Sequence, residues 1–341
     1  MQNSFKHMAS PLLVQPPARG RISGGFLYNA RMAEGGLWQV CELSPESLPS
    51  LEERVVGFDP VLMDSIWLTT QEAPAFLALK PVMKRLGLVL HSFPSMIDAT
   101  EHGRTPPTEP TAFERHTIDR LDIVLLPGHH YRDLLGRTLC RVVIAEPGID
   151  RAWRTEARPR SGPCRLVSVG AVTPRKGFLD VAEALRPLPR ADYSWSVVGS
   201  LAVDPDYAAR LIEETRDLPV TLCGQLSPEA TRRVVQSSDL LLMPSYDENQ
   251  PLVLLESIAA SVPAIAYAAG ATSRIVQDGR EGFVIPIGDK IALAQRLRLM
   301  LSDEALRHDF AQACWRRQRS FSSWDDAARG ARVELESAFA V

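Results

Sequence analysis

The stretch LLLMPSYDENQPLVLLE, residues 240–256, places a polar loop between two apolar runs. Its first run, Leu240–Met243, predicts a buried strand, and Pro251 is well placed to begin a helix. Glu248 then lies in a strand-to-helix loop, and Glu256 lies one to two turns into the helix. Open α/β sheets bind ligands at this carboxyl edge, and carboxylates accept hydrogen bonds from hydroxyl groups. The two glutamates therefore indicate a polyol site, unless they are a solvated loop residue and an ordinary helix-surface residue.

A second strand-loop-helix unit lies upstream, in the stretch RLVSVGAVTPRKG of residues 165–177. An apolar strand is followed by Arg175, Lys176 and Gly177, and then by a helical pattern over 178–185. Helix amide groups and cationic side chains converge at such a loop, which suits a phosphate. The spacing differs from that of a Walker A loop, and no G-x-G-x-x-G follows a strand. The alternative is a solvated Arg-Lys pair.

The whole chain alternates between short apolar runs and helical patterns, which predicts parallel sheets with helices on both faces. Residues 147–163 are rich in Pro, Arg and Gly and predict a linker, and 100–111, with three prolines, predict a loop. Helical patterns fill 289–318, and a last helix is expected from Ser323 to about Phe339. The predicted strands lie near residues 11–15, 38–43, 61–68, 86–91, 122–126, 141–145, 165–170, 194–199, 219–223, 239–243, 263–267 and 282–285.

The length of 341 residues is enough for about two domains. Hydrophobic residues make up 45% and charged residues 23%, as in an ordinary soluble globular protein, and the net charge of −3 gives no indication of a nucleic-acid partner. The five cysteines are scattered, which indicates a reduced compartment without a zinc site, so we expect a cytoplasmic protein. Residues 1–10 resemble an unstructured leader, and the most apolar stretch is too interrupted to span a bilayer.

Downstream of the glutamates lie a short strand, a small-residue turn and the stretch IVQDGREGFVI, residues 275–285. With the Arg-Lys-Gly loop and the two glutamates, this stretch resembles the group 1 retaining glycosyltransferases (family 4) of the GT-B fold. That family carries a strand-Gly-Arg-x-x-x-x-Lys-Gly loop, an E-x7-E motif and a G-G-x-x-E-x-V-x-D-G-x-x-G stretch, in this order. The order and spacing over residues 165–285 are specific, whereas no single motif is.

The N-terminal half carries weaker parts of the same resemblance. Gly24 and Gly25 follow the first strand, and His91 ends the fourth. In the family, such a glycine pair approaches the donor phosphate or the acceptor, and the histidine points into the interdomain cleft. The stretches LLPGHHYRDL, residues 125–134, and AEPGID, residues 145–150, resemble two further family elements. A purely structural histidine is the alternative for His91.

The resemblance implies an α/β protein of the GT-B fold, with two Rossmann-like domains facing each other across a cleft. Residues 11–150 would form the N-terminal, acceptor-side domain, and residues 151–320 the C-terminal domain that binds the nucleotide sugar. Residues 321–341 would form a C-terminal helix that crosses back to pack on the N-terminal domain.

The resemblance also implies roles for the matched residues. Lys176 would bind the β-phosphate, Glu256 the ribose hydroxyls and Glu248 the donor-sugar hydroxyls, and Arg175 and His91 would complete the catalytic set. Cations at the diphosphate stabilise the charge that develops as it leaves, so no metal ion is expected. The other candidate ligand-binding residues are Gly24, Gly25, Gly170, the base-binding Gly224, Gln225 and Leu226, and the loop residues Asn249, Gln250, Pro251, Leu252 and Val253.

Three features depart from the family pattern or compete with it. Ala171 replaces the arginine that directly follows the strand glycine, and whether Arg175 substitutes for that arginine stays open. The segment 249–251, Asn-Gln-Pro, replaces Gly-Phe-Gly-like residues, which changes the expected fit of the sugar. Asp204 and Asp206 form a D-x-D, the metal motif of the unrelated GT-A fold, but their position before a helix favours a helix cap.

The expected activity is that of a metal-independent, retaining hexosyltransferase, with a UDP-sugar as favoured donor, no cofactor and an unidentified hydroxyl acceptor. Retention in this family is thought to need no protein nucleophile, because the departing diphosphate accepts the acceptor's proton on the same face. The alternatives are a GT-B sugar-nucleotide epimerase or phosphorylase, and a non-catalytic sugar-nucleotide-binding subunit. The oligomeric state stays open. Membrane contact through Lys80, Lys84 and Arg85 is not favoured over a solvated helix face.

Overall fold

The structure, a computed structural model, describes residues 9–20, 23–159 and 162–340. Every predicted strand is present in this part of the chain, with ends within four residues of the expected ones. The leader predicted for residues 1–10 lies mostly outside the described residues. The strands are β1 Leu12–Gln15, β2 Gln39–Glu42, β3 Val61–Asp64, β4 Leu86–Val89, β5 Ile123–Leu126, β6 Arg141–Ile144, β7 Cys164–Val169, β8 Tyr193–Val198, β9 Val220–Gly224, β10 Leu240–Met243, β11 Ala264–Tyr267 and β12 Gly282–Ile285.

Helices connect almost all successive strands, as the alternation predicts. Short 3-10 segments cover Pro45–Ser50, Ser65–Trp67, Arg151–Trp153, Pro174–Lys176, Arg190–Asp192 and Gln318–Ser320. The α-helices are α1 Gly24–Glu34, α2 Leu51–Arg54, α3 Ala73–Leu77, α4 Pro94–Glu101, α5 Ala112–Asp119, α6 His130–Leu135, α7 Phe178–Leu185, α8 Pro205–Thr215, α9 Pro228–Ser237, α10 Leu252–Ala259, α11 Thr272–Ile275, α12 Lys290–Ser302, α13 Glu304–Arg317 and α14 Trp324–Ser337.

Three expectations from the sequence need correction. The strand expected at 61–68 ends at Asp64, because the Asp64 side chain accepts a hydrogen bond from the backbone N–H of Ile66 and caps a 3-10 turn. The loop expected from residue 100 begins later, since α4 extends to Glu101. The helical pattern over 289–318 is two helices, because Asp303 leaves the helical conformation and caps α13 through the N–H of Leu306.

The described residues form two compact units. The first contains residues up to 96, residues 107–148 and residues from 322 onward, and the second contains 97–106 and 149–321. The helix α4 therefore begins in the first unit and ends in the second. The boundaries expected from the sequence stay predictions, and the structure differs from them in counting 97–106 with the second unit.

The first unit contains a parallel six-stranded sheet with the strand order β2-β1-β3-β4-β5-β6. Every residue of β1, β3, β4 and β5 is buried, which explains why these strands are nearly continuous apolar runs. The last helix, α14, packs on α1 and β6. Gly35 permits this packing, because a Cβ atom there would lie 2.6 Å from the Cβ of Ala328.

The second unit contains another parallel six-stranded sheet, with the order β12-β11-β10-β7-β8-β9. Its central strands β10 and β11 are buried at every residue. The chain runs from β7 outward to β9 and then returns to the other side of β7 as β10. This reversal makes the carboxyl ends of β7 and β10 the topological switch point, where open α/β sheets bind ligands.

Candidate functional site

The two motifs singled out in the C-terminal half meet at this switch point. The loop after β7 carries Arg175 and Lys176, and the loop after β10 carries Glu248. The backbone N–H of Tyr246 donates to the carbonyl oxygen of Arg175 at 2.8 Å, so the two loops are joined by their main chains. Gly177 has a left-handed φ of 66°, and a Cβ atom there would lie 2.1 Å from the carbonyl oxygen of Pro244. A glycine is therefore required at position 177 for this close approach.

The charged side chains of these loops form one cluster. Lys176 Nζ donates to Glu248 Oε1, and the two side chains are only 15% and 11% exposed. Arg175 Nη1 donates to the carbonyl oxygen of Asp247 at 2.9 Å and lies 3.9 Å from Glu248 Oε1. The Arg175 Nε atom lies 3.5 Å from Glu101 Oε1, at the end of α4. The three residues that the sequence assigned to catalysis in this half of the chain are thus in mutual contact.

Burial and charge act in opposite directions on this cluster. Burial lowers the pKa of Lys176, and the attraction of Glu248 only partly offsets this effect. Burial would raise the pKa of Glu248, but the charges of Lys176 and Arg175 outweigh it and hold that pKa below its ordinary value. Glu248 is therefore a carboxylate at neutral pH, able to accept hydrogen bonds from hydroxyl groups. Two cations stand beside it, as a diphosphate would require.

Asp247 is a member of the cluster that sequence reasoning did not single out. Its side chain is 7% exposed, and its Oδ2 atom has no hydrogen-bond partner among the described residues. Burial raises the pKa of Asp247 to about 6, although the positive charge of Arg175 acts to lower it. The sequence did contain a signal for Asp247, because this residue directly precedes Glu248 in the loop that follows a buried strand.

Gly170, at the end of β7, lies beside the Lys176 side chain. A Cβ atom on Gly170 would lie 3.1 Å from Cε and 3.2 Å from Cδ of Lys176. The missing side chain thus leaves the space in which the lysine stem crosses the strand end. This places Gly170 in the cluster as a residue that makes room for a cation.

The Glu248 loop continues into α10. Gly270 has φ 56°, and a Cβ atom there would lie 1.7 Å from the carbonyl oxygen of Glu248, so the loop packs directly on this glycine. The backbone N–H of Ala271 donates to the carbonyl oxygen of Asn249 at 2.9 Å. Pro251 occupies the N-cap position of α10, as the sequence predicted. Of the candidate loop residues, Asn249, Gln250 and Pro251 complete the loop, whereas Leu252 and Val253 are the first two residues of α10.

Glu256 lies in the helix that begins at this edge of the sheet, and the candidate base-binding residues follow β9 at the same edge. Glu256 is half-buried in the second turn of α10. Gly224 ends β9, and Gln225 and Leu226 follow it. The strand β8 lies between β7, which leads to Lys176, and β9, which leads to this loop.

In the first unit, Gly25 and His91 are in contact. His91 follows β4, and a Cβ atom on Gly25 would lie 3.3 Å from Cδ2 of the His91 ring. Gly24 and Gly25 form the first turn of α1, whose N-cap Ser23 accepts from the N–H of Phe26 at 3.3 Å. The two parts of the N-terminal motif thus converge at one end of the first sheet.

His91 belongs to a buried polar network that sequence reasoning missed. Its Nε2 atom lies 2.8 Å from Asn29 Oδ1, and the Asn29 Nδ2 atom donates to Gln15 Oε1 at 2.9 Å and Asp64 Oδ2 at 2.7 Å. Gln15 ends β1 and Asp64 ends β3, the two strands at the switch point of this sheet. Burial lowers the pKa of His91 more than the Asp64 charge raises it. A polar residue at the end of each buried strand was the available signal.

The D-x-D pair has the structural role that the sequence favoured. Asp204 is the N-cap of α8, and its Oδ1 accepts from the backbone N–H of Tyr207 at 2.9 Å. Asp206 lies in the first turn of the same helix, where negative charge is favourable. This local geometry accounts for both aspartates.

Comparison with solved structures of known proteins identifies the fold of this chain. The sucrose-phosphate synthase of Thermosynechococcus elongatus superposes with a TM-score of 0.79 at 17% identity, covering 97% of this chain and 99% of that one. HepE of Anabaena, solved in complex with UDP-glucose, superposes with a TM-score of 0.78 at 15% identity, covering 96% of this chain and 100% of that one. The fold is that of the GT-B glycosyltransferases.

The family follows from the sequence comparisons. Residues 150–315, just under half of the chain, match the family model described as "Glycosyl transferases group 1". A D-inositol 3-phosphate glycosyltransferase of a Nocardioides species is 27% identical over 88% of this chain and 73% of its own length. A glycogen synthase of Mycobacterium tuberculosis is 29% identical over 58% of this chain and 48% of its own length. Residues 150–315 thus match the group 1 glycosyltransferases, as the motifs predicted.

Two further findings bear on the earlier expectations. The chain spans about half the length of several of the curated relatives it matches. Across residues 9–20, 23–159 and 162–340, no helix is both long enough and apolar enough to cross a membrane.

Proposed function

We propose that this protein transfers a hexose from a nucleotide sugar, with a UDP-sugar favoured, to a hydroxyl group of an acceptor, and that the anomeric configuration is retained. The observation that carries the proposal is the cluster of Lys176, Arg175 and Glu248 at the switch point of the second sheet. Two cations suit a diphosphate, and a neighbouring carboxylate suits the hydroxyls of the attached sugar. HepE, one of the proteins of the same fold, was solved with UDP-glucose.

Each residue has a proposed part in this reaction. Lys176 and Arg175 hold the diphosphate and stabilise the charge that develops on it as the glycosidic bond breaks. Glu248 and the backbone amides of the following loop hold the donor sugar. Glu256 accepts from the ribose hydroxyls, and the base lies against Gln225 and Leu226.

In the ligand-free protein, Lys176 and Glu248 are paired with each other. Without a donor, the lysine ammonium satisfies the glutamate, so neither charge is left unpaired in a buried place. A donor that brings a phosphate to Lys176 and hydroxyls to Glu248 supplies each with a new partner at the same time. We therefore propose that the phosphate and sugar parts of the donor bind in a coupled manner.

The proposed leaving group also explains how the reaction would proceed without a protein nucleophile. The acceptor hydroxyl attacks the anomeric carbon on the face from which the diphosphate departs, and its proton passes to a phosphate oxygen. We propose that the two cations take the place of a metal ion. Activity should then be unchanged by EDTA, whereas strong inhibition reversed by manganese would contradict this part of the proposal.

The experiment starts from a thermal-shift screen across nucleoside diphosphates and nucleotide sugars. A ligand at about 100 times its Kd adds roughly 2.7 kcal/mol to the free energy of unfolding. Slow release of nucleotide from the stabilising donor, and transfer to an added hydroxyl acceptor with retained anomeric configuration by NMR, would support the proposal. Stabilisation by a nucleotide sugar without any release would instead indicate a non-catalytic binding subunit.

Localisation in the cytoplasm is a further proposal, supported by cysteines that are all free thiols.

A further inference from the structure

The network around His91 fixes which ring nitrogen carries the proton. Gln15, Asn29 and Asp64 are at most 6% exposed, so their hydrogen bonds must be made within the protein. A carboxylate only accepts hydrogen bonds. Asp64 Oδ1 accepts from the N–H of Ile66, and Asp64 Oδ2, at 2.7 Å, faces the amide group of Asn29. That group must therefore be the Asn29 NH₂, which also donates to Gln15.

The orientation of Asn29 then determines the histidine. With its NH₂ directed to Asp64 and Gln15, Asn29 presents its carbonyl oxygen to His91 Nε2 at 2.8 Å. A carbonyl oxygen cannot donate, so Nε2 must carry the proton. In the neutral ring, Nδ1 is then the unprotonated nitrogen and a hydrogen-bond acceptor.

The hydrogen-bond partner of His91 Nε2 is Asn29 and not the nearby carboxylate of Asp64. Asp64 Oδ2 lies 3.6 Å from His91 Nε2, but it accepts from Asn29. A direct carboxylate partner would favour the doubly protonated imidazolium, which has no acceptor atom. Another titratable group, Tyr28, packs edge-on against the ring at 5.3 Å and donates its hydroxyl to the carbonyl oxygen of Ala145.

Gly25 leaves space beside the imidazole ring of His91. A Cβ atom on Gly25 would lie 3.6 Å from Nδ1 and 3.3 Å from Cδ2 and Cγ. A side chain at this position would therefore press against the ring. The His91 side chain is 16% exposed, so the ring is not fully enclosed.

We propose that Asn29 and Asp64 are positioning residues that hold His91 in its neutral Nε2–H tautomer, so that Nδ1 accepts a hydrogen bond from a hydroxyl group of the bound substrate. The substrate part of this inference rests on the proposed function, since sugars and acceptors supply such hydroxyls. The tautomer part concerns the ligand-free protein alone. It can therefore be tested separately from the activity.

The test is a long-range ¹H–¹⁵N correlation spectrum of the ¹⁵N-histidine-labelled protein, without ligand, between pH 6 and pH 8. The signals of His91 are those absent from the His91→Gln variant. We expect wild-type His91 to show a protonated Nε2 and an unprotonated Nδ1 across this range. A protonated Nδ1, or an imidazolium at pH 8, would overturn the proposal.

Two variants sharpen the test. Asp64→Asn keeps an oxygen that accepts from Asn29, so the Nε2–H tautomer should persist. Asn29→Leu removes the carbonyl and exposes Nε2 to Asp64, so imidazolium signals should appear at a pH where the wild type has none. An unchanged tautomer in a folded Asn29→Leu variant would also overturn the proposal. If that variant does not fold, Asn29→Asp is the substitute, with the same expected gain of imidazolium. Failure to find a donor would refute the proposed function but leave these spectra unaffected.

Discussion

Both sheets are parallel and six-stranded and each has a topological switch point, yet the chemistry at the two switch points differs. In the second unit the carboxyl ends of β7 and β10 bring together Arg175, Lys176 and Glu248, all of them charged. In the first unit the ends of β1 and β3 bring together amides, one carboxylate and a histidine that burial favours in its neutral form. Topology places a site at both edges, but the side chains decide what each can bind.

The second unit is therefore suited to electrostatic stabilisation, and the first unit to recognition by hydrogen bonds. Cations in a water-poor site stabilise developing negative charge, which makes the second unit suited to the leaving diphosphate. A neutral imidazole adds no charge but accepts one directed hydrogen bond, which makes the first unit suited to orienting a hydroxyl. The predictions below test whether the effects divide in this way.

The largest expected effect comes from removing a cation of the second unit. Lys176→Ala should lower kcat by a factor on the order of 10²–10³, because a preorganised stabiliser of transition-state charge is lost. Binding of the bare nucleoside, which has no phosphate, should change little. Steady-state kinetics and nucleoside titration measure the two quantities.

Lys80→Ala is the matched control, since Lys80 also pairs with a carboxylate, Asp122, at 3.0 Å but lies in the first unit. Its kcat should match that of the wild type. Near-normal turnover in a folded Lys176→Ala variant would end the assignment of Lys176 to the phosphate.

The next effect concerns stability and comes from Asp247. Its pKa is raised from an ordinary 3.8 to about 6, so the folded state holds the proton more tightly than the unfolded state. Stability should then fall as pH rises through the window between about 4 and 6, by roughly 2–3 kcal/mol. Asp247→Asn removes this cost, so it should stabilise the protein at pH 8 by about that amount more than at pH 4.

Denaturant unfolding at the two pH values gives the measurement. The control is Asp206→Asn, which removes an exposed carboxylate of the same unit. If the two variants respond alike to pH, Asp247 is not held protonated by burial.

A smaller effect should distinguish the two glutamates of the second unit by their contributions to nucleotide affinity. Glu256→Gln replaces a charged acceptor by a neutral one, so affinity for the free nucleoside diphosphate should fall by about 1–2 kcal/mol. Glu248→Gln should leave that affinity nearly intact and instead lower the transfer rate and the discrimination among sugar donors. Calorimetry with the nucleoside diphosphate, on variants shown to be folded, measures the difference. Equal losses would mean that at least one carboxylate is misplaced.

The sequence was most informative where function requires charge. Arg175, Lys176 and Glu248 are close to strands that the apolar pattern predicts well, so their meeting at one edge followed from the β/α alternation. The network of the first unit escaped notice because its members come from different strands and one helix. Asn29 lies 14 positions from Gln15 and 62 from His91, and nothing in a single sequence links such positions.

The sequence pattern also failed to predict where some strands and helices end, because side-chain hydrogen bonds to the backbone set those ends. The end of β3 depends on the Asp64 side chain capping a turn, and not on the apolar pattern that continues beyond it. The division of the last helical region depends in the same way on the cap at Asp303. Local side-chain-to-backbone hydrogen bonds compete with regular structure at such positions, and periodicity does not record them.

The central claim, that the second switch point holds the diphosphate and the first does not, is tested most directly by one calorimetric comparison. A nucleoside diphosphate that stabilises the protein, and its parent nucleoside, are titrated into the wild type, Lys176→Met and His91→Gln. The account predicts that Lys176→Met removes most of the affinity gained from the phosphates, while His91→Gln preserves that gain. A gain that survives in Lys176→Met, or one that disappears in a folded His91→Gln variant, would contradict it.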